Sequence, residues 1–183
     1  VFAAGVINGM GHWFGYRNFE VPDASTNIVP WGMLIGGEEL HNNHHAYPSS
    51  AKLSNRWWEF DIGWLYIRML ECVGLATVRK VPPRPMMDPA KVRADLDTLK
   101  AVLQNRLQVM SRYANVVLTR VHAEELQNGD AIRRSTLRRV RSLLVREESL
   151  LSTDAKSRLN QALEQSQALR TVYEYKRRLQ DIW

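Results

Sequence analysis

The sequence has little that would cross-link it or carry it through a membrane. It contains one cysteine, Cys72, which excludes a disulfide framework and is typical of a reducing compartment. No signal peptide is visible, and no apolar run reaches the about 20 residues that a membrane-spanning helix needs. The apolar residues 1–7 resemble only the end of such a run.

Charge is distributed unevenly along the chain. Residues 1–87 carry seven basic and seven acidic side chains, whereas residues 88–183 carry 18 basic and 12 acidic ones. Between them, the prolines of residues 81–87 forbid a continuous helix and favour a stiff spacer. The sequence therefore predicts three parts: a domain over 1–80, a Pro-rich linker over 81–87 and a basic helical extension over 88–183.

Histidines form the most specific pattern. Four of the five lie at positions 12, 41, 44 and 45. In a helix each residue turns the face by about 100°, so His41, His44 and His45 share an arc of about 100°. Imidazoles gathered on one face predict a metal site, for which zinc, copper, iron and nickel remain open.

Two further groups are predicted to face this site. By the same helical arithmetic Glu38 joins the face of His41, whereas Glu39 points away. Upstream, Asn8 and His12 are spaced i, i+4, which places an amide and an imidazole on one helical face. This spacing gains weight from its proximity to the three clustered histidines.

Two motifs in this order resemble the membrane fatty acyl desaturases. They are N-x-x-x-H-x-x-G-x-R from Asn8 and G-E-x-x-H-N-x-H-H from Gly37. The resemblance is to the C-terminal catalytic segment of the stearoyl-CoA delta-9 enzymes and their bacterial acyl-lipid relatives, and runs from Asn8 to Pro82. It implies an all-α fold: the C-terminal part of a helical membrane di-iron domain, followed here by an α-helical extension.

The resemblance also implies roles for single residues. In the family, histidines from three motifs hold two irons, and the implied ligands in this chain are His12, His41, His44 and His45. Asn8 would contact an iron through a water, and Glu38 would orient an imidazole N–H. The family's two earlier histidine motifs are absent, and the first residue is Val1. We therefore expect a C-terminal fragment that is inactive alone.

The implied activity is the O2-dependent insertion of a double bond into a fatty acyl chain, carried as acyl-CoA or acyl-lipid, in unsaturated fatty acid biosynthesis. Electrons would come from a separate donor of the ferredoxin, cytochrome or flavin reductase type. The expected location is a membrane, the bacterial inner membrane, with the catalytic face cytoplasmic. The alternatives are a related membrane di-iron hydroxylase and a non-catalytic helical module for interaction or membrane-surface attachment.

Residues 57–78 predict an amphipathic helix lying on a membrane surface, because charged residues interrupt its apolar character. Trp57, Trp58 and Trp64 are the anchoring candidates, since tryptophan favours the headgroup boundary. A helix packed on the catalytic domain is the alternative interpretation.

In the extension, apolar residues at three- and four-residue steps predict three helices. The first begins at Asp88-Pro89, the second covers 131–149, and Ser152 or Thr153 caps the third. They would form a three-helix bundle or a coiled-coil hairpin.

A run of arginines on the second of these helices predicts attraction to anionic headgroups, with a solvated charged face as the alternative. The candidates are Arg133, Arg134, Arg138, Arg139 and Arg141. Without a recognisable binding module or aromatic stacking platform, the sequence argues against nucleic acid as a partner.

Overall fold

A computed structural model describes Gly5 and residues 7–182. The chain divides into two compact units, Val1–Arg84 and Pro85–Trp183. Helices dominate the described residues, as the predicted fold class requires. The predicted apolar end at residues 1–7 lies largely outside them, and the three-part domain assignment stays a prediction.

Long loops connect the few regular elements of the first unit. In chain order these are α1 (Asn8–Met10), β1 (Trp31–Gly32), α2 (His41–Ala46), β2 (Phe60–Asp61) and α3 (Ile62–Cys72). The two strands pair in parallel, with Trp31 opposite Phe60. An all-α expectation misses this pair, because two-residue strands leave no alternating hydrophobic pattern in the sequence.

Polar side chains fill the centre of the first unit. Asn42 and Asn43 of α2 are at most 1% exposed. The side-chain oxygen of Asn42 accepts hydrogen bonds from the backbone N–H groups of Asn18 and Phe19. The amide of Asn43 donates to the buried carboxylate of Glu59 at 2.9 Å. Such a satisfied buried network fixes the loops around α2 in one arrangement.

The helix predicted over 57–78 is shorter in the structure. Asp61 caps α3 by accepting a hydrogen bond from the backbone N–H of Trp64 at 2.9 Å, so the helix begins only at Ile62. Trp57 and Trp58 therefore lie outside the helix, in the turn before it. In the described part of the chain, no helix combines the length and the apolar character that crossing a bilayer requires.

The second unit is a bundle of short helices. They are α4 (Leu96–Gln104), α5 (Arg106–Tyr113), a π-helical turn (Ala114–Leu118), α6 (Thr119–Asn128), α7 (Ala131–Arg138), α8 (Arg141–Val145), a 3-10 turn (Glu148–Leu150), α9 (Thr153–Glu164) and α10 (Gln167–Gln180). Apolar residues from α7 to α10 form its core: Leu137, Val140, Leu144, Leu151, Ala155, Leu159, Ala162, Leu169 and Tyr173.

The predicted start of the extension's first helix is wrong. Asp88 instead closes a local turn, in which its carboxylate accepts from the backbone N–H of Ala90. The helix begins at Leu96, where Asp95 and Thr98 form a capping box. The two reciprocal hydrogen bonds of this capping box stabilise a helix start at Leu96 more than a single hydrogen bond to Asp88 would stabilise an earlier start.

The other two predicted helices are each interrupted. The segment over 131–149 breaks after Arg138, where Arg139 and Val140 separate α7 from α8. The cap at Ser152 is confirmed, since its hydroxyl accepts from the backbone N–H of Ala155. The third helix then breaks at Ser166, whose hydroxyl caps α10 and also donates to Glu125.

Candidate metal centre

Three imidazoles meet at one point in the first unit. One ligand atom from each of His12, His41 and His45 lies within 4.8 Å of those of the other two. We call these three residues the histidine cluster. The ring centroids are 5.1 Å apart for His12 and His41, 5.1 Å for His12 and His45, and 4.3 Å for His41 and His45.

His44 lies near the cluster but is not part of it. Its ring centroid is 6.3 Å from that of His41 and 5.9 Å from that of His45. On α2, His41 and His45 are one turn apart, whereas His44 points about 100° away from His45. His12 packs against His41 and His45. The role of His44 as a metal ligand stays a prediction.

The backbone around His12 is set by close packing against α2. A Cβ atom on Gly11 would lie 2.9 Å from Cδ2 of His41 and 2.6 Å from the carbonyl oxygen of Ile7. Only glycine therefore allows this approach of the turn to the imidazole. The carbonyl of Gly11 also accepts from the backbone N–H of Thr26 at 2.5 Å.

The predicted helical spacing of Asn8 and His12 is not realised. The helix α1 ends at Met10, and His12 lies in the turn that follows. The side chain of Asn8 is exposed. Its contact with an iron through a water stays a prediction.

A carboxylate that the sequence analysis did not single out contacts the cluster. Oδ2 of Asp23 lies 2.8 Å from Nδ1 of His45. Its other oxygen, Oδ1, accepts from the backbone N–H of Ser25 at 2.8 Å. Burial alone would raise the pKa of Asp23, but the hydrogen bonds with Ser25 and His45 outweigh it and lower that pKa to about 2.

Arg17 holds the loop that carries Asp23. Its side chain is only 6% exposed. The guanidinium donates to the backbone carbonyls of Asp23 at 2.9 Å, Ser25 at 2.6 Å and Val21 at 3.0 Å. These three carbonyls lie in an otherwise irregular segment, which the single side chain therefore fixes relative to α2.

The structure gives Glu38 and Glu39 positions that differ from the helical prediction. Gly36 and Gly37 have φ angles of 65° and 102°, so residues 36–39 form a turn and do not extend α2. Glu39 is 3% exposed and accepts hydrogen bonds from the backbone N–H groups of Leu34 and Ile35. The carboxylate of Asp23 contacts an imidazole, and the role of Glu38 in orienting an imidazole N–H stays a prediction.

His41 is the most buried member of the cluster and is chemically suited to bind a metal. Burial, followed by the nearby imidazoles of His45 and His12, lowers its pKa to about 4. Its ring is therefore neutral near pH 7, the form that coordinates metals. Both ring nitrogens are buried without a hydrogen-bond partner, and a buried polar group left unsatisfied costs about 1–3 kcal/mol. A transition-metal ion fits this set of three nitrogen donors.

The membrane-surface candidates of the first unit are mostly exposed. Trp57 is 95% and Trp58 42% exposed, whereas Trp64 is half-buried beneath the guanidinium of Arg68. The helix α3 buries none of its residues fully. Its exposed apolar side chains are Leu65, Tyr66, Met69 and Leu70.

The arginines of the second unit fall into two groups. Arg133 pairs with Glu125 and is partly buried, so it ties α7 to α6. The other four candidates are exposed on α7, on α8 and in the turn between them: Arg134, Arg138, Arg139 and Arg141.

Curated proteins that match the chain include acyl desaturases. The sn-1 stearoyl-lipid 9-desaturase of Anabaena variabilis is 43% identical over 72 residues, which are 39% of this chain and 26% of the relative. Delta-9 acyl-lipid desaturase 1 of Arabidopsis thaliana is 43% identical over 77 residues, 42% of this chain and 25% of the relative. The icosanoyl-CoA 5-desaturase of Limnanthes douglasii is 39% identical over 88 residues, 48% of this chain and 25% of the relative.

Part of the second unit matches a family model of another kind. A family model described as a transposase covers residues 110–183. No solved structure matches the chain.

The chain thus spans about a quarter of the length of the curated relatives it matches. Over about two fifths of its own length, it is similar to fatty acyl desaturases, the family that its histidine motifs resemble.

Proposed function

We propose that the histidine cluster is part of the iron centre of an O2-dependent acyl desaturase. The main support for this proposal is the convergence of three imidazole nitrogens within 4.8 Å of one another, in a chain similar to such enzymes. In the complete enzyme the centre would hold two irons, and donors outside the histidine cluster would complete it. Iron would supply the oxidising power, drawn from O2, that no protein side chain provides for breaking an unactivated C–H bond.

The chain's own part in this chemistry is placement. His12, His41 and His45 would hold the metal through neutral imidazole nitrogens. Gly11 lets the segment bearing His12 approach His41 closely. The buried amides of Asn42 and Asn43 fix α2, so the two imidazoles on it keep their relative positions.

The names of the relatives indicate a class of substrate. Those relatives act on acyl groups carried by lipid or by coenzyme A, and we propose a fatty acyl substrate of one of these kinds. The delta-9 position, a separate electron donor and a membrane location belong to the same proposal. The exposed apolar face of α3 supports attachment at a membrane surface, where aromatic and apolar side chains reach the headgroup boundary.

A segment exchange tests the proposed activity. Residues 8–82 would replace the matching quarter of the Anabaena sn-1 stearoyl-lipid 9-desaturase, and lipid products would be analysed with and without His41→Ala. We expect the chimera to form the double bond, and His41→Ala to abolish it, because a metal donor is lost. Iron content of both proteins, measured after purification, separates loss of metal from loss of folding.

Two results would change the account. A hydroxylated acyl product from the chimera would favour the hydroxylase alternative over the desaturase. An undiminished double-bond yield in the His41→Ala chimera would show that the histidine cluster is not the metal site.

A further inference from the structure

We infer that Asp23 is a positioning residue that keeps the proton of His45 on Nδ1 and so presents Nε2 to the metal. The inference rests on the proposed metal function of the histidine cluster. It concerns a contact between the loop after Phe19 and the helix α2.

The geometry directs this carboxylate at one ring nitrogen. Oδ2 of Asp23 lies 2.8 Å from Nδ1 of His45. The same carboxylate is fixed on its other side, where Oδ1 accepts from the backbone N–H of Ser25 at 2.8 Å. With both oxygens engaged, the side chain of Asp23 has little freedom to turn away from the imidazole.

The loop beneath Asp23 is held independently of its carboxylate. The nearly buried guanidinium of Arg17 donates to the backbone carbonyls of Asp23 and Ser25, at 2.9 and 2.6 Å. The amide of Asn42 donates to the carbonyl of Ser25 at 3.3 Å and so connects the loop to α2. Because these contacts use backbone carbonyls, substituting the side chain of Asp23 leaves them in place.

The chemistry of a neutral imidazole then fixes which nitrogen faces the metal. One ring nitrogen carries the proton and donates, while the other has the lone pair that a metal needs. An ionised carboxylate only accepts hydrogen bonds, so Nδ1 of His45 must be the donor to Asp23. Nε2 is consequently left as the metal-binding atom.

Nuclear magnetic resonance of the imidazole nitrogens tests the tautomer directly. The full, metal-free chain would be labelled with 15N-histidine and measured at a pH well above the imidazole titration range. In the wild-type chain we expect His45 to carry its proton on Nδ1. In Asp23→Ala we expect the proton to move largely to Nε2, whereas Asp23→Asn, which keeps an acceptor oxygen, should retain much of the Nδ1–H form.

Titration with Co²⁺ alone supplies the second measurement. Loss of a hydrogen-bond partner behind a metal-bound histidine typically weakens metal affinity about 10- to 100-fold, and we expect that loss for Asp23→Ala with partial rescue by Asp23→Asn. The matched control is Asp181→Ala, which removes an exposed carboxylate from the second unit. Thermal melting of each metal-free variant identifies any general loss of folding.

The inference is overturned if His45 keeps its proton on Nδ1 in Asp23→Ala, or if that variant binds Co²⁺ as tightly as the wild-type chain. Failure of the wild-type chain to bind Co²⁺ would instead contradict the proposed metal function. The tautomer measured in the metal-free chain would then still decide whether Asp23 positions His45.

Discussion

At the scale of single residues, the contact between Gly11 and His41 determines how closely His12 approaches the two imidazoles on α2. A methyl group at Gly11 would come within 3 Å of both the His41 ring and a backbone oxygen. The turn that carries His12 would have to shift, and His12 would move away from the other two imidazoles. The strain of such overpacking is typically about 1–3 kcal/mol.

We therefore predict that Gly11→Ala lowers both the free energy of unfolding and the affinity for Co²⁺. Gly9→Ala is the matched control, because a Cβ at that helical position meets no atom within 4 Å. It should leave metal affinity unchanged and stabilise the helix slightly, if at all. Denaturant unfolding and Co²⁺ titration measure the two effects, and equal behaviour of both variants would contradict the packing argument.

The members of the histidine cluster could be predicted at this scale, whereas the residues that support them could not. His41 and His45 follow from helical spacing and His12 from the order of the two motifs, but the same spacing also selects His44, which lies outside the cluster. Asp23 lies in a loop whose course depends on Arg17 and on the distant Asn42, which no local pattern encodes. Its one local signal is the turn between Asp23 and Ser25, in which an aspartate accepts from the N–H two residues on.

At the scale of elements, the short helix α2 owes its position to polar side chains. It has only six residues, and isolated helices of fewer than about 12 residues are marginal in water. The hydrogen bonds of Asn42 and Asn43 supply the stability that so short a helix lacks by itself. Helical spacing predicts Glu38 on the face of His41, but residues 36–39 form a turn and the non-helical backbone of Leu40 separates Glu38 from α2.

The helices of the second unit were predicted more closely than their interruptions. Apolar spacing indicates the helical segments, and the residue type at Ser152 indicates the cap. The breaks at Arg139 and Ser166 serve long-range packing: His122 bonds to the carbonyl of Leu137, near the end of α7, and Ser166 bonds to Glu125. The spacing of apolar residues along the chain does not indicate hydrogen-bond partners that are distant in sequence.

The exposed arginines of α7 and α8 support a prediction about membrane attachment. Changing three of them to glutamine should weaken the binding of the full chain to anionic vesicles, because each basic residue near such a surface contributes about 1 kcal/mol. These are Arg138, Arg139 and Arg141. The charge-matched control changes three other exposed arginines of the second unit to glutamine, namely Arg106, Arg112 and Arg120.

Flotation with and without anionic lipid measures this binding. Equal flotation of the two triple variants would contradict a specific role for the α7–α8 arginines. Because residues 110–183 match a transposase family, duplex DNA should be included as a competitor. Displacement of the chain by DNA at low concentration would favour nucleic acid as the partner.

At the scale of the whole molecule, two compact units carry different features. The first contains the histidine cluster, and the second combines a helical core with an excess of basic side chains. The charge asymmetry and the proline cluster predict different parts from the sequence, and the assignment of these parts as domains stays a prediction. Among the described residues, the histidine cluster is the only group of at least three convergent histidine, cysteine or acidic ligands.

The most direct test of the central claim is a titration of the full chain with Co²⁺, followed by absorption spectroscopy of the bound ion. We predict one tightly bound Co²⁺ with nitrogen ligation in the wild-type chain. His41→Gln should lose it, whereas His122→Gln should retain it, because His122 bonds to the carbonyl of Leu137 in the other unit. A wild-type chain that binds no Co²⁺, or a His41→Gln chain with an unchanged spectrum, would contradict the assignment of His12, His41 and His45 as a metal centre.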